Sequence, residues 1–289
     1  MTQPSISRRA VVTGAGRGLG RAIALGLLEA GHQVLAVDRH AESVQETLAA
    51  ARRLGCEAAA FGCTVDLTTR HAASEVMEAA DRLLGGVDVL VNNAGIGPDA
   101  LRKDYFAHPI RFDELSDDVV RLFFEVNGIA PLLLAIHATR RMRQAGWGRI
   151  INVTTSNDSM MRPGVGPYGG SKASLEAHSA AMAQELEGTG ITVNVVVPGG
   201  VADTGMVPDE LGFDRATLIR PEVMLPPIFW FLSEGPDAPN NKRVLAATWT
   251  PEADANNDPA VRPIGWPGFG SKAIIPGAAG TQPHQRPQA

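Results

Sequence analysis

The chain has 289 residues, 44% hydrophobic and 20% charged, the mix of a globular protein with a real core and not of a disordered or fibrous one. With 26 Lys plus Arg against 31 Asp plus Glu the net charge is −5, so nothing in the balance attracts a phosphate backbone and nucleic acid is disfavoured as the main partner. The opening residues MTQPSISRRAVVTG lack the apolar core of a signal peptide, no 18 apolar residues run together, and Cys56 and Cys63 fit neither a disulfide framework nor a zinc site. A cytoplasmic protein with no membrane partner and no metal is expected.

Taken in chain order, β-branched runs at 10–13, 33–37, 58–65, 87–91, 149–153, 191–197 and 243–247 alternate with segments of helical period near 18–30, 41–54, 70–84, 116–144, 168–187 and 221–233. This rhythm predicts an α/β fold of Rossmann type, a doubly wound, seven-stranded parallel sheet with helices on both faces, forming one catalytic domain over 1–247. Residues 248–289 form a Pro/Gly-rich C-terminal extension with seven Pro and five Gly, a density that argues against any regular element. It is expected to be disordered or laid on a surface, with Trp249 and Trp266 as anchors.

The first strand runs straight into Thr13-Gly14-Ala15-Gly16-Arg17-Gly18-Leu19-Gly20 and a helix follows at once. A glycine-rich strand-to-helix turn lets the backbone approach a pyrophosphate, and the positive end of the helix receives its charge, so Gly14, Arg17, Gly18, Leu19 and Gly20 are expected to cradle a dinucleotide. Asp38 ends the second strand 18 residues past Gly20, where a carboxylate accepts from ribose hydroxyls and repels a 2′-phosphate. NAD is therefore the expected cofactor, with NADP kept open by Arg17 and Arg39, which could grip that phosphate. Asp66 closes the third strand, placed either to meet the adenine amine or to cap a helix.

The stretch 96–115, IGPDALRKDYFAHPIRFDEL, has no clean period and leaves the carboxyl end of the fourth strand, where ligands bind in such sheets. It carries Arg102, Lys103, His108 and Arg111 against Asp104, which suggests an anionic small-molecule substrate, the alternative being a solvated loop or an ion pair between subunits.

Tyr168 and Lys172 stand four apart at the start of an Ala-rich helix, so both project from one face. Half-ionising a phenol of ordinary pKa about 10 at pH 7 requires roughly 4 kcal/mol of preferential stabilisation, much of which a neighbouring ammonium can supply. Together with TGAGRGLG, NNAG at 92–95, Asn127 in EVNGIAP and Pro198-Gly199 after ITVNVVV, this pair makes residues 8–247 resemble the compact, single-domain branch of the short-chain dehydrogenase/reductase family. The resemblance implies a catalytic set of Asn127, a serine-type hydroxyl, Tyr168 and Lys172. It further implies that Asn92, Ala94 and Gly95 line the cofactor cleft, that Pro198, Gly199 and the residues to Thr204 meet the nicotinamide, and that the chain forms a homodimer or homotetramer through its long apolar helices.

Three departures bear on that set. Thirteen residues before Tyr168, where the family places its serine, stands Thr155, with Ser156 as rival. The turn Pro198-Gly199-Gly200-Val201-Ala202-Asp203-Thr204 is one residue longer than usual, leaving Val201 and Thr204 both open as the amide partner, and 96–126 is longer by roughly ten residues. The implied activity is NAD-dependent interconversion of a secondary alcohol and a ketone, with Tyr168 as general base and Asn127 holding a relay water. NADPH-dependent ketone reduction is the alternative, with a non-catalytic NAD sensor or a scaffold behind it.

Overall fold

The computed structural model of the chain describes residues 6–235 and 237–265. Seven strands lie parallel, β1 (Arg9–Thr13), β2 (Gln33–Asp38), β3 (Ala60–Thr64), β4 (Val89–Asn92), β5 (Gly148–Val153), β6 (Ile191–Val197) and β7 (Lys242–Leu245), in the order β3-β2-β1-β4-β5-β6-β7. Alternation splits their side chains between two cores. Val11, Leu35, Leu90, Ile150 and Val195 meet α3 (Ala72–Leu84), α5 (Ala130–Ala145) and α7 (Tyr168–Glu185). Val12, Val34, Val91, Ile151 and Val196 meet α1 (Gly18–Glu29), α2 (Ala41–Arg53) and α8 (Leu225–Phe231). The order reverses between β1 and β4, opening a crevice at the strands' carboxyl ends.

Two departures from expectation bear on function. The sheet has eight strands, not seven: β8 (Val261–Pro263) runs antiparallel to β7, so the extension keeps a regular element despite its prolines. An edge strand tolerates Pro263 at its end because one side of its ladder needs no donor. Trp249 packs at a tilt against Trp230 with ring centroids 5.9 Å apart, as an anchor should, whereas Trp266 lies outside the described residues.

The second is that the helix expected over 116–144 is interrupted. Ser116 caps α4 (Asp117–Phe124), residues Glu125–Ile129 form a π-helical turn, and α5 resumes at Ala130. By length and composition Asp117–Ala145 could cross a membrane, but here Phe123, Leu134, Ala135, Ala138 and Met142 pack into the core. A short helix, α6 (Asn157–Met161), follows β5.

Candidate active site

At the crevice the first and fourth strands are locked end to end. Thr13 Oγ1 accepts from the N–H groups of Asn93 and Ala94, both at 3.1 Å, and Asn93 Nδ2 donates to the carbonyls of Thr13 (2.9 Å) and Gly14 (3.2 Å). Gly14 has φ +63° and Gly18 φ +53°, conformations that side chains disfavour, and a Cβ on Gly14 would stand 2.8 Å from Ala94 Cα. Among the described residues no side chain caps the start of α1 and no acid sits in its first turn, so its N–H groups and positive end face the cleft unneutralised. These features fit a dinucleotide pyrophosphate.

Asp38 is held by its neighbours: Oδ2 accepts from Gly16 N (3.0 Å) and Oδ1 from His40 N (3.1 Å). Arg17 and Arg39 line the same end of the cleft. Asp66 lines it too, its Oδ1 taking the N–H and hydroxyl of Thr68, and these bonds hold its carboxyl below the usual range. It therefore closes the loop after β3, while His71 is the residue that precedes α3.

Two expected cleft residues lie elsewhere. Asn92 is the last residue of β4, and strand alternation turns it inward, where it is 2% exposed and donates to Asn152 (2.9 Å) and the Pro131 carbonyl (3.1 Å); its neighbour Asn93 does the work at the crevice. Gly20 does not line the cleft either, since it is the contact point between α1 and the Gly14 carbonyl. Gly14, Gly18, Leu19, Ala94, Gly95, Pro198, Gly199, Val201 and Thr204 all line a cleft of about 600 Å³.

Its far end gathers the polar chemistry. Thr155, on the loop leaving β5, lines the same wall of the cleft as the phenol of Tyr168 at the start of α7, close enough for its hydroxyl to favour the phenolate. Ser156 is spent otherwise, accepting from Ser159 N (3.0 Å) as the cap of α6. Burial pushes the Tyr168 phenol up, and the Thr155 hydroxyl pulls it back in part. Lys172 is buried, donates from Nζ to the Val153 carbonyl (3.0 Å), and is pushed down to about 8 by desolvation. Its ammonium therefore does not touch the phenol in this arrangement, contrary to the simple pairing expected from the spacing.

Asn127 sits in the π-helical turn, fully buried, with Oδ1 accepting from Ile96 N (3.0 Å) and Nδ2 donating to the Ile96 carbonyl (3.0 Å) and Ser171 Oγ (2.9 Å). Its amide thus ties the loop after β4 to α7 and leaves one lone pair for anything further. A Cβ on Gly95 would stand 3.0 Å from Asn127 Oδ1 and 3.2 Å from Lys172 Nζ, so any side chain would crowd the point where these three elements meet.

The segment 96–115 does reach the cleft through Pro98, Asp99, Ala100, Lys103, Tyr105 and Phe106. Its expected positive charge is cancelled, however. Arg102 pairs with Glu114 (3.1 Å), Lys103 with Asp99 (3.6 Å), His108 with Asp104 (2.6 Å) and Arg111 with Asp113 (2.8 Å), and neither Arg102 nor Arg111 lines the cleft. The further acids Asp99, Asp113 and Glu114 flank the basic residues on both sides in the sequence. Phe106 makes an edge contact with Phe213 at 5.9 Å, joining this wall to the loop after β6.

The short chain dehydrogenase family profile matches residues 8–211. A short-chain type dehydrogenase/reductase of Picea abies is 34% identical over 200 residues, 68% of this chain and 71% of that one. A 3-oxoacyl-[acyl-carrier-protein] reductase of Pseudomonas aeruginosa is 35% identical over 210 residues, 73% of this chain and 80% of that one. Among solved structures, a variant of the actinorhodin polyketide ketoreductase with NADPH superposes with a TM-score of 0.72 at 28% identity, covering 85% of this chain and 97% of that one. With crevice, glycine turn and Tyr-x-x-x-Lys helix in this order on this sheet, the chain belongs to the short-chain dehydrogenase/reductase family.

Proposed function

We propose that the protein is an NAD-preferring oxidoreductase that interconverts a secondary alcohol and a ketone. The observation that carries this reading is the convergence of the Thr155 hydroxyl, the Tyr168 phenol and Lys172 at one end of a cleft whose other end holds the glycine turn and Asp38. When bound, the nicotinamide supplies the hydride acceptor or donor. Tyr168 then takes the hydroxyl proton in oxidation and returns it in reduction, while Thr155 donates a hydrogen bond to the same substrate oxygen. Lys172 and Asn127 are assigned the cofactor ribose and a relay water, the latter through the lone pair that the Ile96 N–H leaves on Asn127 Oδ1.

NADH absorbance with a panel of secondary alcohols and ketones tests this directly; a folded protein inactive with every pair and both cofactors would sink it. For cofactor choice, Asp38 is fixed where a 2′-phosphate would meet like charge, so kcat/KM should favour NAD, and Asp38→Ala should erode that preference by about tenfold or more. A wild type that favours NADP would instead support ketone reduction with NADPH, the reading that the likeness to the NADPH-bound ketoreductase favours.

Assembly is part of the same reading. Leu122, Phe124, Ile129, Leu133 and Ile136 stay more than a third exposed along α4, the π-helical turn and α5, a stripe that a second copy could cover. Light scattering at micromolar concentration should give a dimeric or tetrameric mass, and a monomeric mass would contradict it.

A further inference from the structure

Among the described residues, the mechanism above leaves unused one ion pair with both partners completely buried. Glu176, on α7 four residues past Lys172, and Arg243, on β7, are both completely buried and lie 3.0 Å apart, Arg243 Nε to Glu176 Oε1. Burying two charges costs several kcal/mol per ion, and apolar residues would fill the space without that penalty, so the pair calls for a role beyond stability.

Its remaining contacts say what that role is. Glu176 Oε2 accepts from Thr154 Oγ1 at 2.8 Å, and Arg243 Nη2 donates to the Thr155 carbonyl at 2.7 Å. Thr154 N donates to the Val196 carbonyl (3.2 Å), the last bond between β5 and β6, so beyond it the chain leaves the sheet with no ladder to hold it. The pair takes over at that point, gripping one side chain and one carbonyl of consecutive residues. The third oxygen contact comes from the C-terminal extension, where the N–H of Gly265 approaches Glu176 Oε1 at 3.3 Å. The route to it is β8, paired with β7 so that Arg262 stands opposite Arg243, and the Ile264 N–H bonded to the Asn241 carbonyl at 3.1 Å.

We propose that Glu176 and Arg243 are positioning residues that hold Thr155 in place beside Tyr168 from the buried face of α7, and that the extension as far as Gly265 completes this support. The extension thus reaches the site indirectly, through the Gly265 N–H on Glu176. The assignment rests on the oxidoreductase reading only for its kinetic consequence; the claim that the pair sets where Thr155 stands relative to the Tyr168 phenol can be read without any substrate.

Tyr105 and Tyr168 are the only tyrosines in the chain, so in a Tyr105→Phe background the phenolate absorbance after a pH jump reports Tyr168 alone. Thr155→Val should raise the Tyr168 pKa by about half a unit or more, because a hydrogen bond that favours the phenolate is lost. Glu176→Leu combined with Arg243→Met, which leaves no lone buried charge, should raise it in the same direction, and adding Thr155→Val should then shift it little further. In the background with Tyr105 intact, the same pair of substitutions should lower kcat about tenfold or more while dinucleotide Kd stays within about threefold. An unchanged titration in the folded double variant, or a shift that adds in full to that of Thr155→Val, overturns the proposal. If the double variant does not fold, Arg243→Lys, which keeps a cation beside Glu176 but loses the fork that reaches Thr155, is read in the same way. A wild type without turnover whose titration behaves as described would sink the oxidoreductase reading and leave the positioning role standing.

Discussion

Tyr168→Phe should lower turnover by about 10³-fold in either direction while leaving NADH affinity within about threefold. In the proposed mechanism the phenol exchanges the proton with the substrate oxygen, and the glycine turn and Asp38 that fit the dinucleotide lie at the other end of the cleft. Burial holds the phenol above its ordinary range, opposed by Thr155, so the base form is scarce near neutrality. The sign follows for pH dependence. Alcohol oxidation needs the phenolate and should accelerate as pH rises towards the phenol's pKa, whereas ketone reduction needs the phenol and should slow over the same range. Thr155→Val should cost roughly 2 to 4 kcal/mol of transition-state stabilisation, and Ser156→Ala much less, since its hydroxyl caps α6. Steady-state absorbance and NADH fluorescence titration check both; a Tyr168→Phe protein retaining more than a tenth of wild-type kcat would show that another group moves the proton.

How far the sequence reaches depends on whether a feature is local. β6 occupies 191–197 as expected because seven residues with β-branched side chains at six positions, bounded by Gly190 and Pro198, have few other options. The glycine turn and the Tyr168 and Lys172 spacing are equally local and were legible for the same reason. What fails is anything set by partners far along the chain. Asn92 and Asn93 are adjacent and alike, and only the end of β4, one residue later than its pattern suggested, turns the first inward and leaves the second at the crevice. The π-helical turn around Asn127 has no propensity signature in EVNGIAP, because it answers to the packing of the loop after β4 on α7. Glu176 and Arg243 are 67 positions apart and look like ordinary helix and strand-edge charges until β7 is laid beside β6. The strand at Val261–Pro263 was hidden by the prolines around it, and its acceptors on β7 cannot be inferred from its own residues.

The other large effect expected is at Gly20, which touches no ligand position. A Cβ there would lie 2.1 Å from the Gly14 carbonyl oxygen and 2.4 Å from Asn93 Nδ2, and the first of these is backbone, which cannot swing aside. Gly20→Ala therefore forces α1 away from the end of β1 by something on the order of 1 Å, since real Cβ contacts stay beyond about 3 Å. That motion breaks the Asn93 clamp on Thr13 and Gly14 and spreads the N–H groups that would face a pyrophosphate. Overpacking of this kind costs about 1 to 3 kcal/mol of stability, a fall in Tm of roughly 2 to 10 °C, but dinucleotide affinity should drop about 100-fold or more, because the cradle depends on the spacing that is lost. Gly170→Ala provides the contrast: it lies on the exposed side of α7, its nearest neighbour would be Phe124 Cζ at 3.7 Å, and replacing a helical glycine should add up to about 1 kcal/mol of stability without changing dinucleotide affinity. Thermal melts and fluorescence titrations on the two variants separate the cases. A Gly20→Ala protein that binds NADH as tightly as wild type would mean that the close approach of α1 to β1 is not what shapes the cradle.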